Sequence, residues 1–178
     1  MGFVLMTSET ELSRDFSRVY ADLYPLLCRI VVRMTGRQDT AEEIVQDAFI
    51  KYYERQDTLP KDDGLKYWMI RVVKNQALNH EKRRLREAKA FQRYFHEPKP
   101  AMGPEGEKSL VRSDTIQEVQ EALLKVPYNL RIVLVLKEYT GFNYAEIAKM
   151  LNISEGNVKV RVFRARAQLA SLLPKEGT

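Results

Sequence analysis

The chain has 178 residues, a length compatible with one domain or two small ones. Its hydrophobic fraction of 44% is ordinary for a globular protein, while a net charge of +5 and a pI near 9.3 fit a polyanionic partner. The single cysteine, Cys28, excludes an internal disulfide and a cysteine-built zinc site, and no apolar run approaches the ~18 residues of a membrane span.

The first residues, MGFVL, join no periodic pattern, so Met1 and Met6 are alternative starts. No basic n-region or signal-like apolar run is present, and the expected location is the cytoplasm. Phe16, Val19, Tyr20, Leu23, Leu27, Ile30, Val31 and Met34 then recur at helical spacing until Gly36. Cys28 lies inside this run and reads as a buried thiol. Asp39 or Thr40 is the expected cap of a second helix, whose apolar face is Ile44, Val45, Ala48, Phe49 and Tyr52. Pro60 and Gly64 break the chain, and a third helix follows from Leu65.

The segment HEPKPAMGPEGEKS, residues 96–109, holds three prolines and two glycines. It cannot sustain a helix and has too few large apolar groups for a core, so it reads as a linker. The expected organisation is all-α: a helical unit over residues 7–93, a flexible linker over 94–112, and a second helical unit over 113–173. In the second unit, Ile116, Val119, Leu123 and Val126 mark one helix, and Leu130, Val133, Leu134 and Leu136 mark the next, which Gly141 ends.

The last two helices carry the sharpest local signals. Asn143, with Glu146 three residues on, forms a capping-box pattern ahead of Ala145, Ile147, Ala148 and Leu151. LNIS is a tight turn, and Ser154 caps a final helix. This is the layout of a helix-turn-helix. In the final helix Val158, Val162, Ala165 and Leu169 fall on one face and should pack inward. Lys159, Val160, Phe163 and Arg164 lie toward the other side. The first turn, Glu155, Gly156 and Asn157 after Ser154, has little bulk, so its free N–H groups can approach phosphates and base edges. A solvated basic face is the bland alternative. An exposed Phe163 fits a thymine methyl or a sugar better than it fits water.

DTAEEIVQDAFIKYYER followed by LKYWMIRVVKNQALNHEKRR resembles region 2 of bacterial extracytoplasmic-function sigma factors of the sigma-70 family. LLKVPYNLRIVLVLKEYTGFNYAEIAKMLNISEGNVKVRVFRARAQL resembles their region 4. The likeness spans nearly the whole chain except the linker and the ends. It implies a factor that binds core RNA polymerase and directs initiation at promoters. The promoter partner would be duplex DNA and the melted non-template strand: region 2 would engage the polymerase and open and read the minus-ten element as its bases unpair. Region 4 would read the minus-thirty-five element, through Ser154, Glu155, Gly156, Asn157, Lys159, Val160, Phe163 and Arg164.

Carried onto single residues, the resemblance makes the acidic, amide-bearing face Asp39, Glu42, Glu43, Gln46 and Asp47 the polymerase contact. Such a face suits a basic protein surface, although composition alone would favour a merely solvated one. The third helix has the opposite charge, and its basic, amide and aromatic groups suit single-stranded DNA. Lys66, Arg71, Asn75, Asn79, Lys82 and Arg83 are its candidates for the minus-ten element. The preceding loop, LPKDDGL, matches the segment that holds a flipped base, which points to Lys61, Asp62, Asp63 and Gly64. Trp68 reads as core. Asn79 stands where the family commonly has Asp, and Val160 where it has a polar residue; both departures bear on promoter preference. The resemblance also implies an anti-sigma partner.

Two other readings compete. A stand-alone regulator with a similar helix-turn-helix normally carries an α/β or ligand-binding domain, and no βα alternation appears here. A nucleic-acid enzyme needs a reactive constellation. The only histidines, His80 and His96, have no catalytic or metal-binding company, and no phosphate loop or HExxH sequence is present. No cofactor and no metal are expected, and no enzymatic activity.

Overall fold

The computed structural model describes the backbone of residues 3–95 and 114–173, and the side chains of residues 15–91 and 116–173. All regular structure among the described residues is helical: α1 (Phe3–Thr35), α2 (Gln38–Arg55), α3 (Asp63–Phe95), α4 (Asp114–Lys125), α5 (Tyr128–Thr140), α6 (Tyr144–Leu151) and α7 (Glu155–Leu172). Residues 94 and 95 of the predicted linker form the end of α3, and its remaining residues, His96 among them, lie outside the described residues.

The helices form two groups, one on each side of residues 96–113. In the first, α1, α2 and α3 pack around Leu27, Ile30, Val31, Val45, Met69, Ile70 and Val73, all fully buried. The periodic apolar stripes explain this, since residues three and four apart share a helix face. Phe16 and Tyr20 of α1 meet Phe49 and Tyr52 of α2, with Phe16 and Tyr52 stacked at 5.8 Å. Pro25 sits inside α1 without ending it. Cys28 is buried, as expected, and burial pushes its thiol pKa up.

Helix boundaries depart from the sequence reading in two places. Helix α2 starts at Gln38, with Arg37 as an N-cap that makes no side-chain capping bond. Asp39 and Thr40 are therefore first-turn residues rather than caps. Helix α3 starts at Asp63, so Asp63 and Gly64 belong to its first turn rather than to the loop. The break falls at Asp62, whose φ of 54° lies in the left-handed region and whose carbonyl accepts bonds from the Leu65 and Lys66 amides.

In the second group, α7 packs across α5, α6 and α4. Pro127 precedes α5, where its fixed φ and missing N–H do no harm. Gly141 ends α5 at φ 79°. The capping box at α6 is complete: the Glu146 amide donates to Asn143 Oδ1 at 2.9 Å, and the Asn143 amide donates to Glu146 Oε2 at 2.7 Å. Asn152, at φ 54°, turns the chain into α7, and the Asn157 amide donates to Ser154 Oγ at 3.2 Å. Ile147, Ala148 and Met150 are buried in α6, whereas Ala145, expected inside, is exposed.

The two groups do not sit apart. The end of α1 packs on α4 and α5, and one continuous hydrophobic cluster runs through both. A Cβ on Gly36 would come within 2.6 Å of Leu124 Cδ1, so the glycine is needed there both for its φ of 78° and for this close approach.

Candidate nucleic-acid interface

Helix α7 divides as its sequence dictates. Val158, Val162 and Ala165 are buried, and Leu169 is half-buried at the rim. Ser154, Glu155, Gly156, Asn157, Lys159, Val160, Phe163 and Arg164 are all exposed. Phe163 is 73% exposed and Val160 47%, two large apolar groups that gain nothing from water where they stand. Nothing lies within 4 Å of a Cβ built on Gly156, so the first turn is open to a surface that approaches it.

Local pairing holds several of these groups ready. Lys159 Nζ meets Glu155 Oε1 at 2.9 Å and lies 5.8 Å from the Tyr144 ring centroid; the pairing with Glu155 raises its pKa. Arg161 Nε donates to Asn157 Oδ1 at 2.9 Å. Arg166 is tied to Glu138 of α5 at 2.6 Å, which leaves Arg164 as the outward guanidinium of this stretch. A polyanion would have to compete with Glu155 for Lys159, an exchange that costs little between exposed groups.

On α3, Arg71, Asn75, Asn79 and Lys82 follow at steps of four, four and three, so they share one exposed stripe, with Arg83 beside it. Arg83 Nε donates to Glu87 Oε1 at 3.0 Å. Glu81, the other acidic residue of this stretch, is 4% exposed and faces away, so the outward stripe is basic. Lys66 does not belong to it. Its Nζ donates to the Thr140 carbonyl at the end of α5, at 2.9 Å. Trp68 is half-buried against the core.

The loop before α3 borders a cleft of about 590 Å³. Lys61 and Asp62 line it together with Tyr52 and Leu65, and Arg18 and Asp22 of α1 contribute to its wall. The loop residues were legible from sequence. The α1 wall was not, because nothing in a periodic run tells which of its polar residues a loop will meet.

The face Asp39, Glu42, Glu43, Gln46 and Asp47 is exposed along its length and lies opposite buried Ile44, Val45, Ala48 and Phe49. Two bonds from Arg37, at 2.7 and 3.2 Å, and one from the Thr40 amide hold the Asp39 pKa at about 2. Asp39 therefore keeps its charge throughout the physiological range. Among the described residues no group of His, Cys, Asp and Glu could hold a metal ion, and no helix is long and apolar enough to cross a membrane.

Sequence reasoning missed a second polar constellation, at the seam between the groups. Glu81 Oε2 lies 3.1 Å from Arg84 Nη2 and 4.0 Å from Arg131 Nη2 of α5. Arg131 is 5% exposed, donates to the Leu124 carbonyl at 3.1 Å, and leaves its Nε without a partner. A charge inside the apolar stretch LRIVLVL was the available signal.

Family comparison agrees with this geometry. Residues 19–87 match the model of sigma-70 region 2, and residues 116–169 match that of sigma-70 region 4. The ECF RNA polymerase sigma factor SigM of Mycobacterium tuberculosis is 33% identical over 144 residues, covering 80% of this chain and 69% of that protein. SigW of Bacillus subtilis, also an ECF RNA polymerase sigma factor, is 30% identical over 173 residues, covering 89% of this chain and 87% of its own. Among solved structures, the sigma factor RpoE of Bartonella quintana, crystallised with the anti-sigma factor NepR, shares the fold with a TM-score of 0.70 at 24% identity, over 89% of this chain and 96% of that one. The chain belongs to the extracytoplasmic-function sigma factors of the sigma-70 family, the subunits that bind core RNA polymerase and direct promoter-specific initiation.

Proposed function

We propose that the exposed face of α7 reads the minus-thirty-five element and that α3 with its preceding loop reads and holds open the minus-ten element. The observation that carries this is the sorting of α7: its small first turn and its apolar and basic residues point outward, while a separate stripe is spent on the core. Phe163 and Val160 meet base methyls and sugars, Lys159 and Arg164 meet phosphates, and Ser154 to Asn157 let the helix end approach the groove. Arg71, Asn75, Asn79, Lys82 and Arg83 follow a melted strand, with charge for its backbone and amides for its base edges. An unstacked base enters the cleft beside Lys61 and Asp62, next to Asp63 and Gly64 in the first turn of α3. Extrusion costs a few kcal/mol, which several weak contacts must return.

The acidic face of α2 docks on a basic surface of the polymerase. The working units are residues 7–93 and 113–173, with 94–112 between them. The protein supplies no catalysis of its own; RNA synthesis belongs to the polymerase, in the cytoplasm. An anti-sigma protein is the expected antagonist, a reading supported by one structural neighbour crystallised with such a partner.

The test is transcription in vitro. Purified chain and bacterial core polymerase are run on fragmented genomic DNA, and the 5′ ends are sequenced. Starts that share a two-part upstream motif and vanish without the chain are expected. Arg164→Ala should degrade selection of the upstream half, and Asn75→Ala selection of the downstream half. Tight, specific duplex binding by the chain alone, with no start sites, would instead favour a stand-alone regulator.

A further inference from the structure

Helix α3 changes chemistry along its length. Its inner half begins beside the cleft at Lys61 and Asp62 and presents the exposed amides Asn75 and Asn79. From Lys82 to Ala90 there is no amide and no aromatic residue, and five basic residues stand against one acidic one, Glu87. Every residue of this segment is exposed except Ala88, which is half-buried. The carboxylates in reach are already used. Arg83 Nε donates to Glu87 Oε1 at 3.0 Å, and Arg84 Nη2 lies 3.1 Å from Glu81 Oε2. Among the described residues no carboxylate pairs with Lys82, Arg86 or Lys89. Arg86 Nε donates to the Lys82 carbonyl of its own helix at 3.3 Å. Lys82, Arg86 and Lys89 follow at steps of four and three, so they share a face and prolong the stripe of Arg71, Asn75 and Asn79. Like charges at such spacing weaken a helix, a cost that a polyanion repays and water does not.

Cations without reading groups suit a contact to the DNA backbone that ignores sequence. At ~1.5 Å per residue, Lys82 and Lys89 lie about 10 Å apart along the axis, which spans about three phosphates of one strand at ~3.4 Å each. The order of groups along α3 sets a direction. The melted strand belongs at the N-terminal end, beside the cleft. From the C-terminal end the chain goes on to the helices that would read the upstream element.

We propose that the outer half of α3 is a second DNA contact, in which Arg86 and Lys89, continuing from Lys82, hold the phosphates of the duplex just upstream of the melted element, whatever its sequence. The inference goes beyond the reading of the minus-ten element and rests on it for where the melted strand lies. The partner is a fork, with single strand along Asn75 and Asn79 and duplex along Arg86 and Lys89. On the non-template strand the upstream duplex joins the 5′ end of the melted segment. The fork that fits therefore carries its single strand as a 3′ extension.

The full chain is titrated at low ionic strength, by fluorescence anisotropy, with a mixed-sequence duplex bearing a 3′ single-stranded extension of randomised sequence. The same duplex with a 5′ extension, and the extension alone, are the comparisons. The 3′ fork should bind about tenfold more tightly than either. Arg86→Ala with Lys89→Ala should abolish that advantage while binding to the extension stays within about twofold of wild type. The log–log salt slope on the 3′ fork should become shallower by about 1.8, for two contacts at ~0.9 each. Helix content should not fall, because both positions are exposed and alanine favours a helix. Arg86→Lys with Lys89→Arg should bind as wild type does, since a backbone contact asks for charge rather than shape. Equal binding of the two forks, an unchanged fork affinity in the alanine variant, or an equal loss on fork and extension overturns the contact, as does failure of the wild type to bind any probe. Asn75→Ala decides the minus-ten reading separately. If it binds the extension as wild type does, the base-reading role of α3 fails, while the fork preference still decides the duplex contact.

Discussion

At the scale of single residues, exposure separates the groups that stabilise from those that wait for a partner. Phe163 is 73% exposed and makes no packing contribution that its loss would reveal. Phe163→Ala should leave the melting temperature within about two degrees, since surface substitutions seldom exceed about 0.5 kcal/mol. Promoter selection by the holoenzyme should fall about tenfold or more, measured as open-complex formation, if the ring meets base or sugar in the groove. Asp39 behaves differently. Its hydrogen bonds from Arg37 and the Thr40 amide lower its pKa to about 2. A depressed carboxyl contributes stability that is fully present above its unfolded value near 3.8 and is lost as pH falls toward 2. Asp39→Asn should therefore flatten the acid limb of a melting-temperature profile between about pH 4 and pH 2, by a small amount because the pair is exposed. Above pH 5 the acid dependence of the two proteins should coincide.

At the scale of elements, two glycines predict opposite outcomes. Gly141 ends α5 at φ 79°, with open space where a Cβ would go, so Gly141→Ala should cost about 1 kcal/mol from backbone strain alone. Gly156 lies in the first turn of α7, also in open space, with no unusual backbone angle. Gly156→Ala should raise stability by up to about 1 kcal/mol through helix propensity. The added methyl stands where the helix end approaches DNA, so duplex selection should weaken while the melting temperature rises; a parallel rise in both would remove Gly156 from the interface. The elements themselves were legible because their signals are local: Asn143 with Glu146, Ser154, Gly141 and the apolar stripes each act within one or two turns. The start of α2 was not, because no side chain caps it and Asp39 looks like a cap. The pairing of α4 and α5 with α1 was not legible either. Gly36 reads as a helix end in the sequence, and only the fold shows that Leu124 needs the same missing Cβ. The α7 surface followed from a period, whereas the α1 wall of the cleft depends on contacts between distant segments.

At the scale of the whole molecule, the buried charges at the seam tell how the two groups are coupled. Glu81 and Arg131 are 4% and 5% exposed, and burial pushes the Arg131 pKa down while Glu81 pulls it back. Removing one partner of a buried pair in a single rigid core typically costs about 3–5 kcal/mol, because the other charge is left uncompensated. In a molecule of two dockable groups there is a cheaper response. The groups can part, and water can reach the orphaned guanidinium. Glu81→Ala should then expand the free chain in scattering while each group keeps its helix content and melting temperature nearly unchanged. The double variant Glu81→Leu with Arg131→Met has no charge to rehydrate, and it should stay compact. A drop of several kcal/mol for Glu81→Ala, with no expansion, would mean that the halves form one inseparable core. A sigma factor built that way could not reach both promoter elements, so this single substitution connects the energetics of the seam to the reach that initiation requires.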